Sequence, residues 1–277
     1  MHQSKPIKVI AITSGKGGVG KTNISANLSI ALSQLGRKVV VLDADMGLAN
    51  IDVLLGIHPQ YNLSHVLQSE KSLDEIIVDG PGGIKIIPGA SGIQQMSELS
   101  SIEQASIIRA FSEIRQEIDI MIVDTAAGIS SGVVNLTRAC QEVMVVVCDE
   151  PTSLTDAYAS IKLLNRDYGL YKFQVISNMV KDQQQGQMLF SKLCKVTDHY
   201  LDVALNYVGA VPYDESLRKA VQKQIAVLDA YPSSKSSLAL KNIARKVNAL
   251  PATTETMGGL AFFIERMVQA NSREDAA

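Results

Sequence analysis

One stretch decides the fold: Ser14-Gly15-Lys16-Gly17-Gly18-Val19-Gly20-Lys21-Thr22. The apolar run Val9 to Ile12 before it is typical of a buried strand, and the apolar residues of Asn23 to Leu35 after it recur at helical spacing. Between a strand and a helix, the match of Gly15 to Thr22 to the pattern G-x-x-x-x-G-K-[ST] predicts a phosphate-binding loop. A plain glycine-rich turn would need neither the lysine nor the hydroxyl that this loop carries.

Each part of the loop has an expected task. Its glycines let backbone amides turn inward around an anion, and the helix that follows adds the positive end of its dipole. Lys21 should reach the β- and γ-phosphates, and the hydroxyl of Thr22 should hold Mg²⁺. The expected nucleotide contacts in the loop are Gly15, Lys16, Gly17, Gly18, Val19, Gly20, Lys21 and Thr22.

Lys16 has no task in this simple scheme, because wrapping phosphates does not require a lysine inside the loop. The form K-G-G-x-G-K-T from Lys16 to Thr22 resembles the deviant Walker A loop of the MinD/ParA family of ATPases. In that family the early lysine reaches across a dimer interface to the phosphates bound by the other subunit. The resemblance implies slow, Mg²⁺-dependent ATP hydrolysis, a homodimer that forms with ATP, and catalytic roles for Lys16 and Lys21.

Two aspartates end the second apolar run, within Val41 to Asn50. Asp43 and Asp45 are two residues apart, so they share a side of an extended segment, where such carboxylates can serve a metal and a water. A polar loop start is the plainer interpretation, and the phosphate loop favours the functional one. The stretch resembles switch I of the family, which implies that Asp45 positions the attacking water and that Asp43 supports the metal and the loop geometry.

A third aspartate, Asp124, closes an apolar strand candidate within Ile122 to Gly128. This is the Walker B arrangement, which helps to hold Mg²⁺ at the β- and γ-phosphates. Gly128 would let the backbone approach the γ-phosphate and move when the phosphate leaves. In the family this loop is switch II. The expected metal residues are therefore Thr22, Asp43 and Asp124.

Base-binding residues are expected at two further strand ends. Asn178 ends one strand candidate, and an amide there could read the adenine edge, although Met179 follows where the family often has arginine. Gly209 to Asp214 resembles the second base-binding loop of the family, which would give Pro212 a base contact. The same stretch also fits a strand, a turn and a helix capped by Asp214, and both interpretations stay open.

Two acidic residues, Glu150 and Asp156, follow the strand candidate that ends at Cys148. They match acidic positions of the family that meet the early lysine, which is Lys16 in this chain. Cys148 itself belongs to an apolar run and is expected in the core.

Near-continuous apolar runs alternate with helical patterns along most of the chain. Such runs are buried on both faces of a parallel sheet, so the alternation predicts a doubly wound, mostly parallel α/β sheet with helices on both faces. We expect a MinD-like P-loop NTPase domain over residues 1–248, with ligands beyond the carboxyl ends of the strands. The strand candidates are Lys8 to Thr13, Lys38 to Asp43, Ile84 to Ile87, Ile118 to Asp124, Glu142 to Cys148, Phe173 to Asn178 and Ala204 to Val211. The helix candidates are Asn23 to Leu35, Ser100 to Glu117, Thr152 to Tyr168, Gln184 to His199 and Glu215 to Lys223.

Composition excludes several classes of protein. The net charge of −2 argues against broad nucleic-acid binding by overall charge. The three cysteines are scattered and form no C-x-x-C pair, which excludes a disulfide framework and the simplest zinc or iron–sulfur sites. No apolar run approaches the ~20 residues of a membrane span, and Met1 to Lys8 does not have the character of a signal peptide, so we expect a cytoplasmic protein.

A linker and an amphipathic helix are expected after residue 248. Residues 249–259 contain Pro251, three threonines and the pair Gly258-Gly259. One apolar stripe at helical spacing follows, formed by Leu260, Phe263, Ile264, Met267 and Val268. Residues 260–277 are therefore interpreted as a candidate membrane anchor, which implies reversible peripheral association with the inner membrane. A terminal helix packed on the body of the protein is the alternative.

Four stretches resemble the branch of the family that regulates flagellar number: Leu48 to Gly56, Val123 to Ile129, Cys148 to Ser153 and Val211 to Ala220. The resemblance implies a switch that negatively regulates flagellar number and flagellar gene expression. It would bind an enhancer-binding transcription activator and act with a flagellar placement GTPase. Met1 to Pro6 lacks the D-Q-A motif with which some members stimulate that GTPase, so direct stimulation is not expected. The alternative is a ParA-type partition ATPase that binds nonspecific DNA, whereas the flagellar reading expects no direct nucleic-acid binding.

Overall fold

The computed structural model describes residues 7–45, 50–89, 108–251 and 263–265. These ranges contain one sheet of eight strands: β1 (Lys8–Thr13), β2 (Val39–Ala44), β3 (Val78–Asp79), β4 (Lys85–Ile87), β5 (Ile120–Thr125), β6 (Glu142–Val147), β7 (Lys172–Val180) and β8 (Ala204–Pro212). The strand order is β3-β4-β2-β5-β1-β6-β7-β8. β3 runs antiparallel to β4, and the other neighbouring pairs are parallel.

The helices that connect or follow the strands include four that the sequence predicts, those that begin at Lys21, Pro151, Gln183 and Glu215. The helices are α1 (Lys21–Ser33), α2 (Ile51–Leu55), α3 (Leu63–Leu67), α4 (Leu73–Ile76), α5 (Ser131–Ala139), α6 (Pro151–Arg166), α7 (Gln183–Tyr200), α8 (Glu215–Gln222), α9 (Val227–Ala230) and α10 (Lys235–Ala249). A short 3-10 turn, Pro81–Gly83, precedes β4, and residues 108–112 and 263–265 are also helical.

Alternate residues of the central strands point to opposite faces of the sheet, and each face carries a core. On one face Ile10 and Ile12 belong to a buried cluster with α1, α2, α9 and α10. On the other face Val9 and Ala11 belong to a cluster with α3, α4 and α5. Further along the sheet, β6 and β7 form a third cluster with α6 and α7. Helices cover both faces, so the predicted doubly wound, mostly parallel α/β fold is confirmed.

The strand predictions agree with the structure to within two residues at each end, and β1 agrees at both ends. The helix predicted over Ser100 to Glu117 is wrong at its carboxyl end, because among its described residues only 108–112 are helical. There the backbone N–H of Arg115 donates to Asp74 Oδ2 at 3.3 Å, so the chain leaves the helix before it enters β5. The first part of that prediction, residues 100–107, lies outside the described residues.

The parallel strands place their carboxyl ends at one edge of the sheet. β1 lies between β5 and β6, while the chain passes from β1 to β2 on the far side of β5. This is a topological switch point, where ligands bind in open α/β sheets. The phosphate loop follows β1 at this point, so the fold places the predicted ligand loop where the topology provides a crevice.

Residues after position 226 contact β1 and α1 near the start of the chain. Lys8 Nζ donates to the carbonyl oxygen of Leu250 at 2.5 Å, and the backbone N–H of Val227 donates to Asn27 Oδ1 at 3.0 Å. α10 packs directly on α1 and on β8. The helix that follows the phosphate loop is therefore enclosed by residues encoded about two hundred positions later.

The described part of the C-terminal segment is buried. Phe263 is 1% exposed and Ile264 is 0% exposed, and both belong to the cluster that contains Val9 and Ala11. Glu265 beside them is exposed. The rest of the predicted linker and apolar stripe lies outside the described residues. None of the described helices is long and apolar enough to cross a membrane.

Candidate nucleotide-binding site

The phosphate loop has the backbone geometry of an anion cradle. Gly18 and Gly20 have φ of 80° and 88°, in the left-handed region that favours glycine. Gly20 is also the residue before α1, and no side chain caps the first turn there. The first amide groups of α1 are consequently available to an anion at the helix N-terminus.

Gly15 is required by a close approach of two backbones. A Cβ atom at this position would lie 2.1 Å from the carbonyl carbon of Asp156 and 2.6 Å from the backbone nitrogen of Ala157, both in α6. No side chain can occupy that space without displacing helix backbone. The contact fixes the start of the loop against α6.

Lys21 is held at the base of the loop. It is 8% exposed, and its Nζ donates to Ser14 Oγ at 3.0 Å. Burial lowers the pKa of Lys21 from its ordinary value, while the nearby carboxylates of Asp124 and Asp45 oppose that shift. A buried ammonium between these groups can bind the terminal phosphates of a nucleotide, as the sequence predicts.

Asp124 is buried beneath the loop. Ser25 Oγ donates to its Oδ1 at 2.7 Å, whereas its Oδ2 has no hydrogen-bond partner among the described residues. Burial raises the pKa of Asp124 to about 7, and the charge of Asp43, its neighbour in register on β2, adds to that rise. The hydrogen bond from Ser25, the nearby hydroxyl of Thr22 and the charge of Lys21 act in the opposite direction.

The orphaned Oδ2 of Asp124 is a test of the predicted Mg²⁺ site, and the site fits. A carboxylate oxygen close to Thr22 and to the phosphate cradle can hold a magnesium ion or one of its waters. The described residues contain no cluster of three or more metal-binding His, Cys, Asp or Glu side chains. Few protein ligands suit Mg²⁺, which keeps several waters and shares phosphate oxygens with the nucleotide.

Asp43 organises the segment after β2. Its Oδ2 accepts the backbone N–H groups of Asn50 and Ile51 at 3.0 and 3.1 Å, and its Oδ1 accepts that of Asp45 at 3.4 Å. Burial raises the pKa of Asp43 to about 6, and these backbone hydrogen bonds limit the rise. The sequence predicts that Asp43 supports the geometry of this loop. In the structure Asp43 does so by accepting hydrogen bonds from the backbone at the start of α2. Its metal role stays a prediction.

Asp45 lies on the cleft and is oriented from α2. The side-chain amide of Asn50 donates to Asp45 Oδ2 at 3.1 Å. The intervening residues 46–49 lie outside the described residues. Asp45 therefore has a defined orientation close to the phosphate loop, which suits the predicted task of positioning a water.

The predicted stretches meet in one cleft of about 520 Å³. Its lining comes from the phosphate loop, the start of α1, Asp45, α2, α8 and residues beside them. The lining residues are Gly17, Gly18, Gly20, Lys21, Thr22, Asn23, Asp45, Asn50, Val53, Leu54, Ala127, Met179, Val221 and Gln224. Lys21, Thr22 and Asp45 lie in one cleft, as the sequence predicts. The lining residues from Asn50 onward add further residues to the predicted site.

Lys16 is turned away from the cleft of its own chain. Its Nζ binds Glu150 Oε2 at 2.5 Å and Thr152 Oγ1 at 3.1 Å. The hydrogen bond with Glu150 raises the pKa of Lys16 above its ordinary value. The predicted contact of the lysine with an acidic residue after β6 is confirmed for Glu150, while Asp156 contributes its charge and its backbone contact with Gly15.

Asn178 braces the phosphate loop. Its Nδ2 donates to the carbonyl oxygen of Val19 at 2.7 Å, and its side chain is 3% exposed. A Cβ atom at Gly20 would lie 2.4 Å from that nitrogen, so the glycine is needed for this contact as well. Contact of Asn178 with adenine stays a prediction. Met179, which lines the cleft, follows with a φ of 56°.

The loop after β8 combines two features of the sequence. Pro212 ends β8, and the backbone N–H of Tyr213 donates to the carbonyl oxygen of Val180 at 2.8 Å, so this loop lies beside the end of β7. Asp214 Oδ1 accepts the N–H of Ser216, and its Oδ2 accepts both the N–H and the hydroxyl of Ser236. The capping interpretation of Asp214 is confirmed, and the base contact of Pro212 stays a prediction.

Several residues of this site were not predicted from the sequence, and Ser25, Asn50 and Gln224 are the ones whose hydrogen bonds organise it. Ser25 lies four residues after Lys21, which places both on one face of α1 and was a usable signal. Asn50 lies only five residues after Asp45, within a stretch that the sequence singles out, whereas Gln224 reaches the site through a tertiary contact with Val53 that no local spacing indicates.

Comparisons with known proteins agree with this geometry. The family model described as ParA, NUBPL iron-transfer P-loop NTPase, matches residues 6–248. Antiactivator FleN of Pseudomonas aeruginosa is 56% identical over 269 residues, which cover 97% of this chain and 96% of FleN. Flagellum site-determining protein YlxH of Helicobacter pylori is 36% identical over 238 residues, covering 86% of this chain and 80% of YlxH.

A solved structure gives the same result at the level of the fold. Septum site-determining protein MinD of Pyrococcus horikoshii, complexed with Mg-ADP, matches with a TM-score of 0.68 and 25% identity, covering 88% of this chain and 97% of that chain. Since the family model spans most of the sequence and FleN matches over 96% of its length, this protein belongs to the MinD/ParA family of P-loop ATPases.

Proposed function

We propose that this protein is an ATP-dependent dimerising switch that limits flagellar number by restraining a flagellar transcription activator. The observation that carries the proposal is the 56% identity to antiactivator FleN over nearly the full length of both chains. The name of a second relative, a flagellum site-determining protein, points to the same process. In this proposal the switch also acts with the GTPase that places flagella.

The chemistry of the switch is slow hydrolysis of ATP to ADP and phosphate. Lys21 and the loop amides bind the phosphates, and Thr22 and Asp124 hold Mg²⁺, which neutralises charge on the phosphates. Asp45 orients the attacking water. Asp45→Ala should therefore keep ATP binding and lose hydrolysis, whereas Lys21→Ala should lose binding, because Lys21 meets the ground-state phosphates and Asp45 acts only in the transition state. Single-turnover hydrolysis beside nucleotide affinity separates the two effects, and normal hydrolysis by Asp45→Ala would remove it from this role.

Lys16 supplies the dimerisation step. In the single chain its side chain is 38% exposed and is held by Glu150, the residue before α6, so it can exchange that carboxylate for phosphates of a second subunit. ATP with Mg²⁺ should convert monomer to dimer in analytical ultracentrifugation, and ADP should not. Lys16→Ala should stay monomeric with ATP. A matched control is Lys192→Ala, which removes another exposed lysine paired to an aspartate, Asp149. Dimerisation of Lys16→Ala like wild type contradicts the cross-subunit role.

The regulatory proposal is tested by partner binding of the ATP-locked form. Asp45→Ala with ATP should capture a purified flagellar enhancer-binding activator, and Lys21→Ala, which cannot hold ATP, should not. Random-sequence DNA is the second arm of the experiment. Strong DNA binding that falls steeply with salt, together with no capture of the activator, would support a ParA-type partition ATPase instead.

For the C-terminal segment we propose packing on the body in the monomer and release to the membrane in the ATP dimer. The burial of Phe263 and Ile264 supports the packed state, and the apolar stripe of the sequence supports the membrane state. Liposome co-sedimentation should increase with ATP, and hydrogen exchange over residues 263–265 should quicken. Equal liposome binding with and without ATP contradicts the switch. Phe263→Glu alone is a poor test, since a charge inside the packed cluster would also destabilise the fold.

A further inference from the structure

Gln224 has a backbone conformation that its residue type does not favour. Its φ is 54°, in the left-handed region where glycine is usual. It follows α8 in a Schellman arrangement: the N–H of Gln224 donates to the carbonyl oxygen of Val221 at 3.0 Å, and that of Ile225 to the carbonyl oxygen of Ala220 at 3.1 Å. A glycine would close this helix without strain, so the glutamine side chain needs a separate reason.

The side chain of Gln224 holds the end of α2. Its Nε2 donates to the carbonyl oxygen of Val53 at 2.9 Å. Gly56, which ends α2 with a φ of 65°, fits closely beside it, since a Cβ atom there would lie 3.3 Å from the carbonyl oxygen of Gln224. Two helix ends, those of α2 and α8, are thereby joined through one side chain and one tight backbone contact.

The other end of α2 contacts the two aspartates of the switch I stretch, Asp43 and Asp45. Asn50 donates from its side chain to Asp45 Oδ2, and the N–H groups of Asn50 and Ile51 bind Asp43 Oδ2. α2 has only five residues, too few to hold a fixed position through its own helical hydrogen bonds. Asp45, Asn50, Val53 and Gln224 line the same cleft. The position of Asp45 over the phosphate loop therefore depends on what anchors α2.

We propose that Gln224 is a positioning residue for ATP hydrolysis: it anchors α2, and through Asn50 it fixes Asp45 over the phosphate loop. The inference rests on the proposed role of Asp45. The plainer interpretation is a simple helix end, in which Gln224 only satisfies one carbonyl of α2. The two interpretations predict different results for Gln224→Gly. This substitution relieves the strained backbone and also removes the side chain that anchors α2.

The experiment compares Gln224→Gly with a matched control, Ser69→Gly. Ser69 follows α3 in the same arrangement, with a φ of 59° and hydrogen bonds from Ser69 to Val66 and from Glu70 to His65, and it does not line the cleft. Both variants should unfold at a urea concentration equal to or above that of wild type. ADP affinity should stay within about twofold of wild type, since the phosphate loop is unchanged.

Hydrolysis should separate the two variants. Gln224→Gly should lose at least about tenfold in the single-turnover rate with KM little changed, because small displacements of a catalytic group are costly, whereas Ser69→Gly should hydrolyse as wild type does. Gln224→Glu, which keeps the size and the strain but replaces the amide donor by a carboxylate, should show the same loss. Hydrolysis at the wild-type rate by Gln224→Gly overturns the proposal.

A second measurement does not depend on ATP hydrolysis. Hydrogen exchange of the amides in residues 50–56 of the nucleotide-free protein should be faster in Gln224→Gly and in Gln224→Glu than in Ser69→Gly and wild type. Unchanged exchange overturns the anchoring of α2 by Gln224. Faster exchange with no effect on hydrolysis keeps the anchor but overturns its role in catalysis. Absence of hydrolysis in wild type together with faster exchange would instead refute the proposed function.

Discussion

Replacing Ser25 by alanine should disturb the buried acid of the site while leaving the phosphate loop intact. Ser25 and Asp124 are each 0% exposed, and their oxygens are 2.7 Å apart. Since Asp124 Oδ2 has no hydrogen-bond partner among the described residues, Ser25→Ala removes the hydrogen bond at Oδ1 that orients this buried carboxyl. The loss of a partner by such a buried group costs about 1–3 kcal/mol of the free energy of unfolding.

The matched control is Ser29→Ala, one turn further along α1. Ser29 is also 0% exposed, and its hydroxyl donates at 2.6 Å to the backbone carbonyl oxygen of Ser25. That carbonyl keeps its α-helical hydrogen bond when the hydroxyl is removed, so the cost should be below about 1 kcal/mol. Both variants remove a serine hydroxyl oxygen from α1. They differ in the group that loses this hydrogen bond, which is the carboxyl of Asp124 in Ser25→Ala and the carbonyl oxygen of Ser25 in Ser29→Ala.

Urea unfolding of the nucleotide-free protein and ADP affinity with and without Mg²⁺ check this reasoning. Ser25→Ala should lose the larger share of stability, and the gain in ADP affinity that Mg²⁺ provides should shrink, because Asp124 is no longer oriented. ADP affinity in EDTA should be unchanged, since Lys21 and the loop amides remain. Equal losses of stability in the two variants, or an unchanged effect of Mg²⁺ in Ser25→Ala, would refute a specific role for this hydrogen bond.

Three further predictions concern the scaffold of the site. Gly15→Ala should abolish ADP binding and lower the unfolding midpoint, because its Cβ would lie 2.1 Å from the backbone of Asp156; normal ADP affinity in calorimetry contradicts this. Asp214→Ala should lower the free energy of unfolding in urea by about 2 kcal/mol, and Asp182→Ala by about 1 kcal/mol. The reason is that Asp214 accepts hydrogen bonds from the starts of two helices, whereas Asp182 accepts one from the start of a single helix. The raised pKa of Asp124, about 7 against 3.8, means that the folded state binds its proton more tightly, so stability of the nucleotide-free protein should fall from about pH 4 to about pH 7. Asp124→Asn should flatten that part of the pH profile, and an unchanged slope would contradict the assignment.

The sequence was sufficient to predict the phosphate loop and seven of the eight described strands, all but the two-residue β3, because their signals are local. β1 carries an unbroken apolar run, and the loop after it has a fixed spacing of glycines, lysine and hydroxyl. The short helices α2, α3, α4 and α9 were not predicted, since four or five residues do not display a helical period, and the nine-residue α5 was missed as well. α10 was also missed, although Leu240, Ile243, Ala244 and Val247 have the spacing of a buried helical face.

Contacts between distant parts of the chain could not be predicted in the same way. The brace from Asn178 to Val19 joins residues 159 positions apart, and the bond from Gln224 to Val53 spans 171 positions. Asn178 was selected for a base contact because it ends a strand, and its position against the phosphate loop depends on the register of β7. The strained backbone of Gln224 could not be predicted either, because glutamine has no preference for a positive φ.

The enclosure of α1 by α9 and α10 has a consequence for the synthesis of this protein. The ribosome releases the phosphate loop and α1 early, while the residues that bury α1, including Val227 and those of α10, emerge about two hundred positions later. Until they arrive, α1 exposes an apolar face and the polar side chain of Asn27 lacks its partner from Val227. A nascent chain therefore cannot bury α1, the helix that follows the phosphate loop, until α9 and α10 have been made.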